Sequence, residues 1–73
     1  MIEQVLWIHG ILKKNEVMRI IFSRSNWEIL CDKTDELWEQ NGAIFLRRAN
    51  GKVAIVNPEH IVYVCTAKKG VYL

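Results

Sequence analysis

The chain has 73 residues, 51% of them apolar and 25% charged, with a formal net charge of +2. That length admits a single domain over residues 1–73, the composition excludes a disordered chain, and the mild charge excludes an extended nucleic-acid scaffold while leaving room for a local basic patch. A lone core of this size seldom supplies more than about 3–5 kcal/mol, so a staple, a metal or a partner is expected to contribute.

In chain order, the opening MIEQVLWIHGILKK has an acid where a secretory signal needs basic residues, and His9 and Gly10 break its apolar run. No stretch approaches the roughly 18–20 apolar residues of a membrane span. No membrane partner is expected, and a soluble cytoplasmic protein with reduced thiols is. QVLWIHGILKK (4–14) clusters Val, Trp and Ile and predicts a first strand, bent or bulged at Gly10. EVMRIIFS (16–23) predicts a second strand, paired with the first as a hairpin, and WEILC (27–31) a short third. DKTDELWEQNG (32–42) is the one stretch that predicts a helix. There Asp32 can accept from the free amides of the first turn, Asp35 and Glu36 lie at the positive end of the dipole, and Asn41 or Gly42 can end the helix in a left-handed conformation.

The strongest local signal is AIFLRRA (43–49), then Asn50-Gly51, then KVAIV (52–56). Asn-Gly between two β-rich runs predicts a two-residue type I′ hairpin turn, because both residues tolerate positive φ. NPEH (57–60) predicts a second turn fixed by Pro58, IVYVCTA (61–67) another strand, KKG (68–70) a turn and VYL (71–73) a final short strand. The run NGKVAIVNPEHIVYV resembles the hairpin of small FlbD-type flagellar proteins, which have an NGK turn, a strand, an NP turn and an apolar strand. That likeness covers about a fifth of the chain and carries no function with it.

A two-residue loop at Asn50-Gly51 sets the register of the hairpin, and paired residues share a face. One face then carries Ile44, Leu46, Val53 and Ile55 with Arg48 at its turn end; the other carries Phe45, Ala54 and Val56 with Arg47 and Lys52. Both faces are apolar. The other strands repeat this, as in Ile61, Tyr63 and Cys65 against Val62 and Val64. A sheet with one wet face alternates cleanly between apolar and polar, and these strands do not. The expected fold is mainly β with one short helix (β+α), a small five- to six-stranded antiparallel barrel or curled sheet of SH3-like or Sm-like type. Its rival is a sandwich-like packing of two halves of the sheet on each other. Large contiguous apolar patches are uncommon on soluble monomers. The second face is therefore expected to be covered by another copy of the chain or by a larger protein, with Phe45, Val56, Ala54, Trp7 and Tyr63 at the interface.

Chemistry-bearing residues are sparse. His9, Cys31, His60 and Cys65 are the soft ligands, but no pair has zinc-site spacing, and His60 and Cys65 fall on opposite faces of one strand. Neither a metal nor another cofactor is expected. Cys31 precedes an acidic segment and Cys65 lies in an apolar strand; both surroundings disfavour a thiolate, so neither reads as a nucleophile. No catalytic residue is assigned and no enzyme is expected.

Charge is unevenly placed along the chain. Residues 25–42 carry a balance of −4, against +2 before them and +4 after. Asp35, Glu36 and Glu39 would present an acidic docking face on the wet side of the helix. Arg47, Arg48, Lys52, Lys68 and Lys69, with Lys13, Lys14 and Arg24, would form a basic rim at the hairpin tips for an acidic partner or for nucleic acid. The expected function is a non-enzymatic protein-interaction module. It would act as a homo-oligomer or as a small modulator or inhibitor of a larger protein, a role that many short phage and mobile-element products have. The alternative is a small β-barrel that binds single-stranded nucleic acid with that rim and with Trp7, Trp27, Phe45 and Tyr63 as stacking surfaces.

Overall fold

A computed structural model of the protein describes residues 1–23 and 27–70. The elements run α1 (Ile2–Gly10), β1 (Glu16–Phe22), β2 (Glu28–Cys31), β3 (Glu36–Gln40), β4 (Ala43–Arg47), β5 (Val53–Val56), a short 3-10 turn (Pro58–His60) and β6 (Ile61–Lys68). The class is mainly β with one short helix. The strands expected over 16–23, 27–31 and 61–67 are present as β1, β2 and β6. The strand expected over 71–73 and the break at 24–26 lie outside the described residues.

The strands pair as two antiparallel three-stranded sheets, β2-β1-β6 and β3-β4-β5. Among the described residues no ladder joins the two sheets, so they do not close into a barrel. They share one core instead, the arrangement closer to the sandwich-like rival. Met18, Ile20, Cys31 and Ile61 enter it from the first sheet, Ile44, Leu46 and Val56 from the second, and Val5 and Leu12 from the N-terminal segment.

The N-terminal segment is a helix rather than the expected first strand, and β1 pairs with β2 and β6 rather than with it. Its apolar residues repeat at helical spacing. Ile2, Val5, Ile8 and Leu12 all meet the core, while Trp7 and Ile11 point outward. Burial of that stripe outweighs the weak strand preference of Val and Ile. The amides of Ile11 and Leu12 close on the carbonyls of Ile8 and His9 just past Gly10, so that glycine marks the end of a helix and not a bulge.

The helix expected over 32–42 is absent, although its start signal is obeyed. The Asp32 carboxylate accepts from the Thr34 amide at 2.8 Å, and the Asp35 carboxylate reaches back to the Asp32 amide at 2.9 Å, the reciprocal pattern of a capping box. The Thr34 hydroxyl, which also donates to the Asp32 carboxylate, leads in holding that carboxyl below its usual range, helped by the Thr34 amide and Lys69. One turn forms and the chain then straightens into β3, because residues 36–40 find a ladder partner in β4. The reversal between them is Asn41-Gly42, at φ 53° and 78°. It is the two-residue turn with both residues left-handed that the sequence predicts at Asn50-Gly51.

At Asn50-Gly51 the loop has three residues. The Gly51 amide donates to the Arg48 carbonyl and the Arg48 amide to the Lys52 carbonyl, and only Gly51 is left-handed, at φ 88°. This is a type I turn closed by a bulge. The extra residue slips the register by one. Ile44 pairs with Val56, Phe45 with Ile55, Leu46 with Ala54 and Arg47 with Val53. A one-residue slip exchanges faces for the whole of β5, which moves Val56 into the core and Ile55 out of it.

Candidate functional site

The slip creates the most distinctive surface of the molecule. On the outer face of β3-β4-β5, Trp38, Phe45 and Ile55 form one row across the sheet, and Glu36, Arg47 and Val53 form the next. The Trp38 and Phe45 rings stack with centroids 5.6 Å apart and planes inclined by 23°. The Arg47 guanidinium lies 5.2 Å from the centre of the Trp38 ring and 3.9 Å from the Glu36 carboxylate. Each such contact is worth about 0.5–1.5 kcal/mol. Together they hold the indole in place against its neighbours on the sheet, so less side-chain freedom remains to be lost on binding. Ile55 at the end of the row is 65% exposed and Val53 beside it 55%.

Around the β5 edge the apolar surface continues into a cleft of about 410 Å³ between the two sheets. Phe22, Trp27 and Ile29 line one side, Ile55 and Val56 the other; Trp27 is 69% exposed. His60 is the only titratable side chain among the described residues that line it.

Of the residues expected at a protein interface, only Phe45 lies on this outer face. Val56 is buried in the core, paired with Ile44. Ala54 shares its strand but not its face. Trp7 sits exposed on α1, and Tyr63 sits exposed on β6 in the other sheet, where it pairs with Ile21 of β1. The acidic residues share no face, since the helix that would align them does not form. Asp35 is buried and accepts from the Arg48 guanidinium at 3.0 Å; Glu36 lies beside Arg47; Glu39 accepts from the Gly42 amide at 3.1 Å. The basic residues also divide. Arg48 is turned inward, donating to the Leu30 carbonyl at 2.6 Å as well as to Asp35. Lys69 is 3.7 Å from Asp32, and Lys52 and Lys68 are exposed at separate element ends. Arg24 lies outside the described residues.

The candidate metal ligands are dispersed. His9 Nε2 is 2.9 Å from the Asp32 carbonyl, and His60 lines the cleft. Among the described residues no group of three or more His, Cys, Asp or Glu side chains is placed to hold an ion. Cys31 and Cys65 lie on the two strands that flank β1, opposite Met18 and Arg19 respectively. That places them two strand spacings apart, roughly 10 Å, on opposite faces, and both are free thiols. Burial pushes the Cys31 thiol up to about 12; Arg48 opposes the rise, while Asp35 and Asp32 add to it. At pH 8 the native protein will therefore take up one equivalent of iodoacetamide, at Cys65, and the second only in denaturant, as counted by mass spectrometry. Uptake of two equivalents without denaturant would contradict the burial of Cys31.

Reading the residues alone misses Trp38 and Ile55 as site residues, and names Trp27 only as a stacking surface for nucleic acid. For Trp38 a signal was present: ELWEQ alternates, and Asn41-Gly42 separates it from AIFLR just as Asn50-Gly51 separates the next pair of runs. Among the described residues no helix is long and apolar enough to cross a membrane. No family model matches the chain, and neither a curated protein nor a solved structure matches it.

Proposed function

We propose that the protein is a non-enzymatic protein-interaction module, a homo-oligomer or a small modulator of a larger protein, acting through the outer face of β3-β4-β5. The observation that supports this is the row Trp38–Phe45–Ile55, which is ordered by ring stacking yet open at its Ile55 end. Buried aromatic and aliphatic anchors dominate binding energies at such faces. The function requires no closure into an SH3-like or Sm-like barrel, since it uses an open sheet face. The free thiols Cys31 and Cys65 fit a reducing, cytoplasmic setting.

The test is a Phe45→Glu, Ile55→Glu double variant. It is expected to keep the circular dichroism of the parent and to lose its assembly, whether that is self-association seen by light scattering or a complex recovered from the native cell. Full assembly of a folded double variant would refute the reading. A single-stranded nucleic-acid reading draws support from Arg47 lying over Trp38 beside Phe45. Under it, a labelled oligonucleotide is retained, retention weakens steeply with salt, and Arg47→Glu abolishes it. The protein-interaction reading expects no retention.

A further inference from the structure

Among the described residues four strands lie at sheet edges, and their edges differ in what lies against them. Helix α1 packs against β3, β6 and the central β1, and so lies near two of those four strands. The outward carbonyl of Leu30 on β2 is taken by Arg48. Among the described residues no strand pairs with the outer edge of β5, which borders the cleft toward Phe22, Trp27 and Ile29, and its side chains Val53 and Ile55 are both exposed. The Arg48–Lys52 hydrogen bond fixes the alternation along the β4–β5 ladder. Leu46–Ala54 and Ile44–Val56 are then the hydrogen-bonded pairs, and the amides and carbonyls of Val53 and Ile55 point away from β4. An unpaired apolar edge of this kind is a template for another strand.

We infer that β5 pairs antiparallel with β5 of a second copy of the chain, about a two-fold axis at Ala54, joining two three-stranded sheets into one of six strands. This rests on the protein-interaction reading and names the partner. The edge is self-complementary. Its two outward-facing residues are separated by one, so the axis sets each Val53 against the partner copy's Ile55 and satisfies four amides and four carbonyls in four hydrogen bonds. Ala54, with the smallest side chain of the strand, falls where the two backbones come closest. Lys52 falls opposite Val56 of the other copy, so no like charges face each other. The rows of the two outer faces run on into each other through Ile55 beside Val53, which brings the flanks of the two exposed side chains into contact.

The register is tested by cysteine pairing in a Cys65→Ser background, with Cys31 left buried. Ala54→Cys places two thiols across the axis with Cα atoms about 4.5 Å apart, within disulfide range. Lys52→Cys places them about 13 Å apart along the strands, out of range. Mild oxidation is expected to convert A54C to a covalent dimer and to leave K52C as monomer. Ile55→Pro removes an outward amide that the β4–β5 ladder does not use, and is expected to leave the dichroism intact while halving the mass in solution. An A54C chain that fails to cross-link, or cross-links no better than K52C, overturns the inference. If the Phe45→Glu, Ile55→Glu variant still loses assembly in that case, the face reading stands and the edge geometry alone is wrong. If A54C cross-links while the double glutamate variant assembles normally, the face reading is the one that fails.

Discussion

Ile44→Ala will leave the protein largely unfolded at room temperature, whereas alanine at the adjoining Phe45 will leave it folded. Ile44 is fully buried on β4, opposite Val56 and in one cluster with Met18, Ile20 and Leu46. Truncating such a residue removes transfer energy and leaves a cavity, at a cost of about 2–5 kcal/mol. A core this small provides about 3–5 kcal/mol in all, so the cost is comparable to the whole stability. Phe45 faces the other way, half-buried against Trp38. Its removal forfeits a ring contact and some area, about 1 kcal/mol. Urea titration followed by tryptophan fluorescence separates the two variants directly. Equal midpoints would contradict the observed register, in which alternate β4 residues serve different faces.

Arg48→Ala is expected to cost about 3 kcal/mol, more than a surface arginine on a hairpin would. Asp35 is 7% exposed and holds two donors, the Asp32 amide at 2.9 Å and the Arg48 guanidinium. Removing Arg48 strands a carboxylate away from water with one of those donors left, and frees the Leu30 carbonyl on β2. Asp35→Asn in the Arg48→Ala background is expected to recover part of the loss, because a neutral amide tolerates burial where an anion does not. Arg48→Lys is expected to rescue poorly, since an ammonium lacks the fork that reaches a carbonyl and a carboxylate at once. A double-mutant cycle measured by urea denaturation gives the coupling. A value under about 0.5 kcal/mol would reduce the pair to an ordinary surface contact.

Strand-forming runs and turn residues carried much of the architecture in the sequence. Residues 16–22, 28–31, 43–47, 53–56 and 61–68 are strands where β-rich runs predict them. The exceptions have local causes. Asp32 and Asp35 form the bonds of a helix start, but residues 36–40 are taken into the β4 ladder and Asp35 also binds Arg48, 13 residues away, and neither partner has a signature in a local window. The segment around Val5 is rich in strand formers, yet its buried residues recur at helical intervals that strand propensity alone obscures. The site depends on the β4–β5 loop having three residues rather than two. Asn50-Gly51 suits either length, and that single residue decides whether Ile55 or Val56 faces outward. Arg48, by contrast, could have been read as turned inward from its parity with Ile44 and Leu46.

The ladder between β1 and β6 ties Glu16 to Lys68, spanning almost every intervening residue, whereas β3, β4 and β5 follow one another through short turns. During synthesis the three-stranded meander can therefore zip up from neighbours alone, while the other sheet waits for its third strand to leave the ribosome. Until then β1 is flanked by β2 alone, and the apolar side chains that meet β6 in the finished sheet stay open to chaperones.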